Sequence, residues 1–223
     1  AQAWLHRAAA AADLIDPVNE CLAMFEYLPW DTIVPGLSSA VQLTTEDLAS
    51  FLSNAWLNDE MINAGVDYIL QRVGPGSRIR ILNCLFIQSL RNAHGKQTNY
   101  HPPSFSPIER AIHANFVWFP LHISGNHWTL LKIDLLTKTI AYADSLGGTF
   151  LKEELALVRW WLKGLGDCAK FEVIKPDFPC PRQHDSSSCD IIVLSILASV
   201  LLNFDMWTSE TAQAQRTKWF LRL

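Results

Sequence analysis

The run "NFVWFPLHISGNHWTLLKIDLLTKTIAYADS", residues 115–145, decides how this chain folds. It holds two blocks dense in β-branched and aromatic residues, 115–123 and 127–144, and blocks of that kind form strands. "LLTK" at 135–138 lies where a hairpin turn belongs, so the passage predicts two or three strands of a central sheet. Downstream, "GGTFLKEELALVRWWLKGLG" (147–166) reads as an amphipathic helix and "KFEVIKP" (170–176) as a further strand. Upstream, "IRILNCLFIQSL" (79–90) is strand-like and then helical, and "QTNYHPPSFSP" (97–107) is a loop. Residues 44–74 carry two helices, the first capped by Thr44 or Thr45 and the second by Asn58 or Asp59, ending near Val73 at Gly74-Pro75. Residues 29–43, with Pro29, Pro35 and Gly36, read as irregular, while Ala3 to Ile15 predicts a helix ending before Pro17. With an apolar helix after Cys189 and a last helix near 208–222, helices come first, strands in the middle and helices last: an α+β architecture.

Composition narrows the function classes. The 223 residues are 49% hydrophobic and 18% charged, which suits one globular domain with its own core and excludes a disordered tail. A net charge of −4 speaks against a general nucleic-acid binder. No secretory signal or membrane span is visible, so no membrane partner is expected. The five cysteines, Cys21, Cys84, Cys168, Cys180 and Cys189, are odd in number and irregularly spaced, which fits a reducing compartment better than a disulfide framework. The chain opens on "AQAWLHRAAAAAD" without a methionine and reads as a segment of something longer.

"QHDSSSCDIIVLSILASVLLN", residues 183–203, sets a serine run and one cysteine in front of a long apolar stretch. Asp190 to Leu202 is too short for the ~20 residues that cross a bilayer and reads as a buried helix. Ser186, Ser187 and Ser188 are favourable caps, which starts the helix within a residue or two of Cys189. A thiol in the first turn meets unpaired N–H groups and the positive end of the helix dipole, and both favour the thiolate. A buried core cysteine fits the same stretch equally well.

A cysteine nucleophile needs a base, an acid to orient that base, and donors for an oxyanion. Among seven histidines, His127 is best placed, at the start of a predicted strand beside a loop. His6, His94, His101, His113 and His122 read as structural or solvent-exposed. Asp144 ends the next strand and meets His127 if register and connection allow; its ordinary reading is a turn residue before "SLGG". Gln183, six residues ahead of Cys189, offers an amide beside the Cys189 N–H.

Taken in order, "WLND" at 56–59, "HW" at 127–128, "YADS" at 142–145, and Gln183 with Cys189 resemble the SUMO/sentrin-specific protease family, the Ulp/SENP-like cysteine peptidases related to the adenoviral protease. The resemblance covers roughly residues 40–205. It implies an α+β, papain-like/adenain-like cysteine protease fold with a central, mainly antiparallel sheet flanked by helices, over a catalytic domain at 41–223 with 1–40 as an N-terminal helical extension. It also implies Cys189 as nucleophile, His127 as base, Asp144 as its orienting acid and Gln183 as oxyanion donor. Trp56 and Trp128 would flank a channel for the Gly-Gly tail of a ubiquitin-like modifier, and Asp59 would help dock the modifier. Core packing is the other reading of the tryptophans, and the cap of the second helix is the simpler reading of Asp59. The expected protein is a monomeric thiol peptidase without cofactor or metal, acting on SUMO or ubiquitin and their conjugates in the nucleus or cytoplasm.

The match departs at the nucleophile. The family usually has Asp-Cys-Gly where this chain has Ser188-Cys189-Asp190, and Asp185 stands where the family tends to have asparagine. A carboxylate beside the thiol opposes its ionisation through like charge but is favoured at a helix N-terminus, so the two effects partly cancel. These departures suggest a divergent branch, for which ubiquitin or another relative of SUMO is a credible modifier. Two competing readings are a weak or inactive modifier-binding module, and a metal site from Cys180, His184 and Cys189 that lacks a paired C-x-x-C.

Overall fold

The computed structural model describes residues 15–96, 114–164 and 170–223. In chain order it runs α1 (Ile15–Tyr27), α2 (Thr45–Ser50), α3 (Asp59–Val73), β1 (Ile79–Ile81), α4 (Phe86–Gly95), β2 (Phe116–Ile123), β3 (His127–Asp134), β4 (Thr139–Ala143), α5 (Lys152–Gly164), β5 (Glu172–Ile174), α6 (Cys189–Leu202) and α7 (Ala212–Arg222). Two compact units result, one from the chain up to Arg72 with Pro181–Leu223, the other from Val73–Cys180. No described helix is long and apolar enough to cross a membrane.

The Val73–Cys180 unit is the sheet, in the order β1-β2-β3-β4-β5. Its inner pairings, β2 with β3 and β3 with β4, are antiparallel hairpins, whereas the short edge strands β1 and β5 pair in parallel with β2 and β4. Parallel neighbours need a crossover, and α5 supplies the one between β4 and β5. One face packs Val117, Phe119, Leu121, Leu131, Ile133, Ile140 and Tyr142 in a cluster with Phe86, Ile87 and Leu90 of α4 and Leu157, Val158 and Trp161 of α5. The Phe86 ring meets Phe119 and Trp161 edge-on at 5.2 and 4.9 Å. Alternate residues such as Trp118, Leu130 and Ala141 are buried as well. Burial on both faces explains why these strands read as continuous apolar runs, each large side chain contributing about 1.5–3 kcal/mol. Pro120 is tolerated inside β2 because β1 pairs with Phe116–Trp118, so among the described residues that edge of β2 has no ladder beyond Trp118 to interrupt.

In the other unit, local chemistry sets the helix starts. Thr44 Oγ1 accepts the Asp47 N–H while Asp47 Oδ2 accepts the Thr44 N–H, a capping box that opens α2. Asn58 Oδ1 accepts the Met61 N–H at 2.9 Å and opens α3, which stops at Gly74 with φ +82°. A Cβ at Gly65 of α3 would come within 2.6 Å of Leu194 Cδ2, so glycine lets α6 approach closely. Helix α7 receives Phe25 of α1 on Phe220 at 5.3 Å and Tyr68 of α3 on Trp219 at 5.8 Å.

The N-terminal helix differs from its sequence reading. Ile15 begins a helix, and Pro17 sits in its first turn, where a missing N–H costs nothing and the fixed φ suits the helix. The segment expected as a helix before Ile15 and the loop expected at 97–107 lie outside the described residues.

Candidate active site

His127 and Asp144 come together at one end of the sheet. Ser124 and Gly125, at φ +53° and +75°, turn β2 tightly into β3, so His127 opens the returning strand from a turn rather than a long loop. Leu130 pairs with Ala143, which sets Asp144 opposite Thr129 and places His127, two residues earlier, on the same face. His127 Nε2 lies 2.7 Å from Asp144 Oδ1, and each residue is only 9% exposed. Against a carboxylate acceptor, Nε2 is the ring nitrogen that carries a proton.

The carboxylate is cradled by its own turn. Asp144 Oδ1 accepts the Leu146 N–H at 2.8 Å and Oδ2 the Gly148 N–H at 3.1 Å. A Cβ on Gly148 would stand 2.4 Å from Asp144 Oδ2. Gly148 therefore belongs to the cradle of Asp144, a role that reading it as the head of the helix at 147–166 passed over.

Cys189 opens α6 and is 1% exposed. The expected serine cap takes another form. Ser188 occupies the cap position, but its hydroxyl donates to Asp185 Oδ2 at 2.7 Å and caps nothing. Asp185 Oδ1 accepts the Ser187 and Ser188 N–H groups at 2.8 and 2.7 Å. Burial works against this carboxylate, yet the bonds from Ser188 and Ser187 outweigh it and hold its carboxyl below the usual range. Gln183 is 6% exposed and its Nε2 donates to Asp185 O at 2.8 Å, which ties the amide to the same turn.

Asp190 is fully buried, and its surroundings differ from the like-charge picture. Oδ2 accepts the Leu57 N–H at 2.7 Å and Oδ1 meets Arg216 Nη2 at 3.1 Å. Burial pushes its carboxyl upward while Arg216 and the N–H donors pull against that. A cation thus faces the charge beside the thiol, and Arg216 was invisible as a site residue because it lies 26 residues away on α7.

Trp56 is 51% exposed, so core packing does not describe it; its Nε1 donates to Ser186 O at 2.7 Å. Trp128 is 4% exposed and stacks on His122 at 4.4 Å. Asp59 is the first residue of α3, so the cap falls to Asn58 in the preceding position, whose Oδ1 accepts the Met61 N–H. His94 lies edge-on to Trp160 at 5.2 Å, while His6, His101 and His113 lie outside the described residues. Among the described residues no group of three His, Cys, Asp or Glu side chains is placed to hold a metal.

The family described as "Ulp1 protease family, C-terminal catalytic domain" matches residues 55–222. Sentrin-specific protease 3 of Homo sapiens is 22% identical over 202 residues, covering 83% of this chain and 33% of its own length, so the chain spans about a third of that relative. A solved C-terminal Ulp1 protease domain in complex with Smt3, the yeast ortholog of SUMO, superposes with a TM-score of 0.62 at 20% identity, over 88% of this chain and 86% of that one. The Xanthomonas campestris effector XopD, bound to ubiquitin, gives a TM-score of 0.52 at 17% identity, over 77% and 92%. These likenesses establish the expected α+β cysteine protease fold.

Proposed function

Because the chain belongs to the Ulp1 protease family, we propose that it is a thiol peptidase and isopeptidase that cleaves after the C-terminal Gly-Gly of a ubiquitin-like modifier. The observation that carries the reading is the buried 2.7 Å contact of His127 Nε2 with Asp144 Oδ1, found in a chain whose family match also contains Gln183 and Cys189. We assign residues 41–223 to the catalytic domain and residues 1–40 to an extension.

Cys189 gives its proton to His127 Nδ1, and the thiolate attacks the carbonyl carbon of the terminal glycine. The Gln183 amide and the Cys189 N–H hold the oxyanion while Asp144 keeps the imidazole oriented and offsets its charge. The imidazolium then protonates the leaving amine as the C–N bond breaks, which leaves a thioester on Sγ. Water, deprotonated by His127, hydrolyses it and frees the modifier. Trp56 and Trp128 flank the path of the glycine tail, and Asp59 belongs to the docking surface. The nucleophile must stay reduced, which suits the nucleus or cytoplasm. Smt3 and ubiquitin, the modifiers held by the two structural neighbours, are the first to try.

The test uses Smt3 and ubiquitin, each carrying a C-terminal vinyl sulfone. At least one is expected to form a 1:1 covalent adduct by mass spectrometry, and Cys189→Ala is expected to form none while keeping its circular dichroism spectrum. An adduct on Cys189→Ala, or none on the unaltered protein with either probe, refutes the assignment.

A further inference from the structure

We infer that Asp190 and Arg216 form a positioning pair that fixes the backbone on both sides of Cys189 for the proposed peptidase reaction. The inference rests on that reading of Cys189.

Two segments distant in sequence each hold one point before the cysteine and one after it. The Trp56-Leu57 dipeptide donates from Trp56 Nε1 to Ser186 O at 2.7 Å and from Leu57 N–H to Asp190 Oδ2 at 2.7 Å. Arg216 Nη2 lies 3.1 Å from Ser187 O and 3.1 Å from Asp190 Oδ1. Asp190 is where the two grips meet, one on each carboxylate oxygen. The turn between them is closed from within by Asp185, which takes the N–H groups of Ser187 and Ser188. Cys189 therefore sits between anchored neighbours, and its N–H, the proposed oxyanion donor, points as those anchors dictate. A planar guanidinium suits this work because one nitrogen can serve two oxygens from a preset plane.

Stability alone does not account for the pair. Asp190 is 0% and Arg216 3% exposed, and Arg216 Nη1 is buried without a hydrogen-bond partner among the described residues. Removing two charges from water is costly, and apolar replacements of a buried ion pair are often as stable or more so. What apolar side chains cannot supply is simultaneous hold on Ser187 O, Leu57 N–H and the start of α6.

Stability and rate are separable by experiment. Arg216→Met alone leaves Asp190 buried without its cation, and both the melting midpoint and the rate of adduct formation with the reactive vinyl sulfone probe should fall. In Asp190→Ala/Arg216→Met the midpoint should rise above that of Arg216→Met, because no charge is left stranded, while the uncovered Leu57 N–H and Ser187 O keep it below that of the unaltered protein. Its adduct rate, read well below the midpoint, should stay at least about tenfold low, because a displaced nucleophile is not restored by stability. A double variant that reacts at the unaltered rate overturns the inference. Should the double variant not fold, Arg216→Lys decides: it keeps a charge against Asp190 but gives up the planar double contact, so a rate about tenfold low supports the pair and an unaltered rate overturns it. If the unaltered protein forms no adduct with either probe, the peptidase reading fails first and the inference falls with it.

Discussion

Asp144 in the sheet unit and Asp190 in the helical unit are both carboxylates drawn out of water, 9% and 0% exposed, yet they find partners at very different chain distances. Asp144 meets His127 across one hairpin and takes N–H groups two and four residues ahead. Asp190 takes Leu57 from 133 residues back and Arg216 from 26 residues on. The first carboxylate is held by its own neighbourhood, the imidazole across the hairpin and two N–H groups of the following turn. The second is held by the packing of three separate segments. A local cradle suits the orienting role proposed for Asp144, whereas a long-range clamp suits the fixed backbone proposed around Cys189.

The contrast can be tested in order of expected effect. Asp144→Asn keeps the shape and removes the charge that orients and offsets the imidazolium; kcat/KM on a modifier-derived ester should fall about 10³-fold with the fold intact. Arg216→Met, beside slowing adduct formation, should lose about 3–5 kcal/mol in urea unfolding, since it strands a buried carboxylate. If Arg216→Met left stability unchanged, Asp190 would not need its cation and the contrast would fail. Gly148→Ala forces a Cβ toward Asp144 Oδ2, and the resulting shift should slow catalysis about tenfold while costing about 1 kcal/mol of stability. The smallest effect belongs to Trp56→Phe, which deletes the bond to Ser186 O at a half-exposed position and should cost about 1 kcal/mol in the same unfolding assay.

The residues that were legible share one property: their signals are local or ordered. The two inner hairpins announced themselves through apolar blocks and the turn at 135–138, and the capping box of α2 through Thr44 and Asp47. His127, Asp144 and Cys189 drew the reading because each falls where a strand or helix begins or ends, and Gln183 because it stands six residues ahead of Cys189. Misreadings came where one residue type serves two purposes. Pro17 was taken as a stop but lies in a first turn, and of the two cap candidates for α3, Asn58 and Asp59, the simpler reading of Asp59 as the cap gives way to Asn58. Ser188 looked like a cap and instead serves Asp185. Gly148 was read only as the head of the amphipathic helix at 147–166, because its role is a distance to a carboxylate, which no residue type advertises.

Hydrogen bonds spanning two to four residues, hydrophobic periodicity and turn preference are properties of contiguous residues, so strands, helix starts and the thiol at the head of α6 could be read directly from the order of amino acids. Asp190 is different. Whether a carboxylate beside a thiol repels it or is answered by a cation depends on which side chains from other segments arrive within about 3 Å, where electrostatic interaction is strongest. Only the packing of α7 and the Trp56-Leu57 segment against the start of α6 decided that, because long-range pairing is settled by the burial of helix faces and not by any pattern near residue 190.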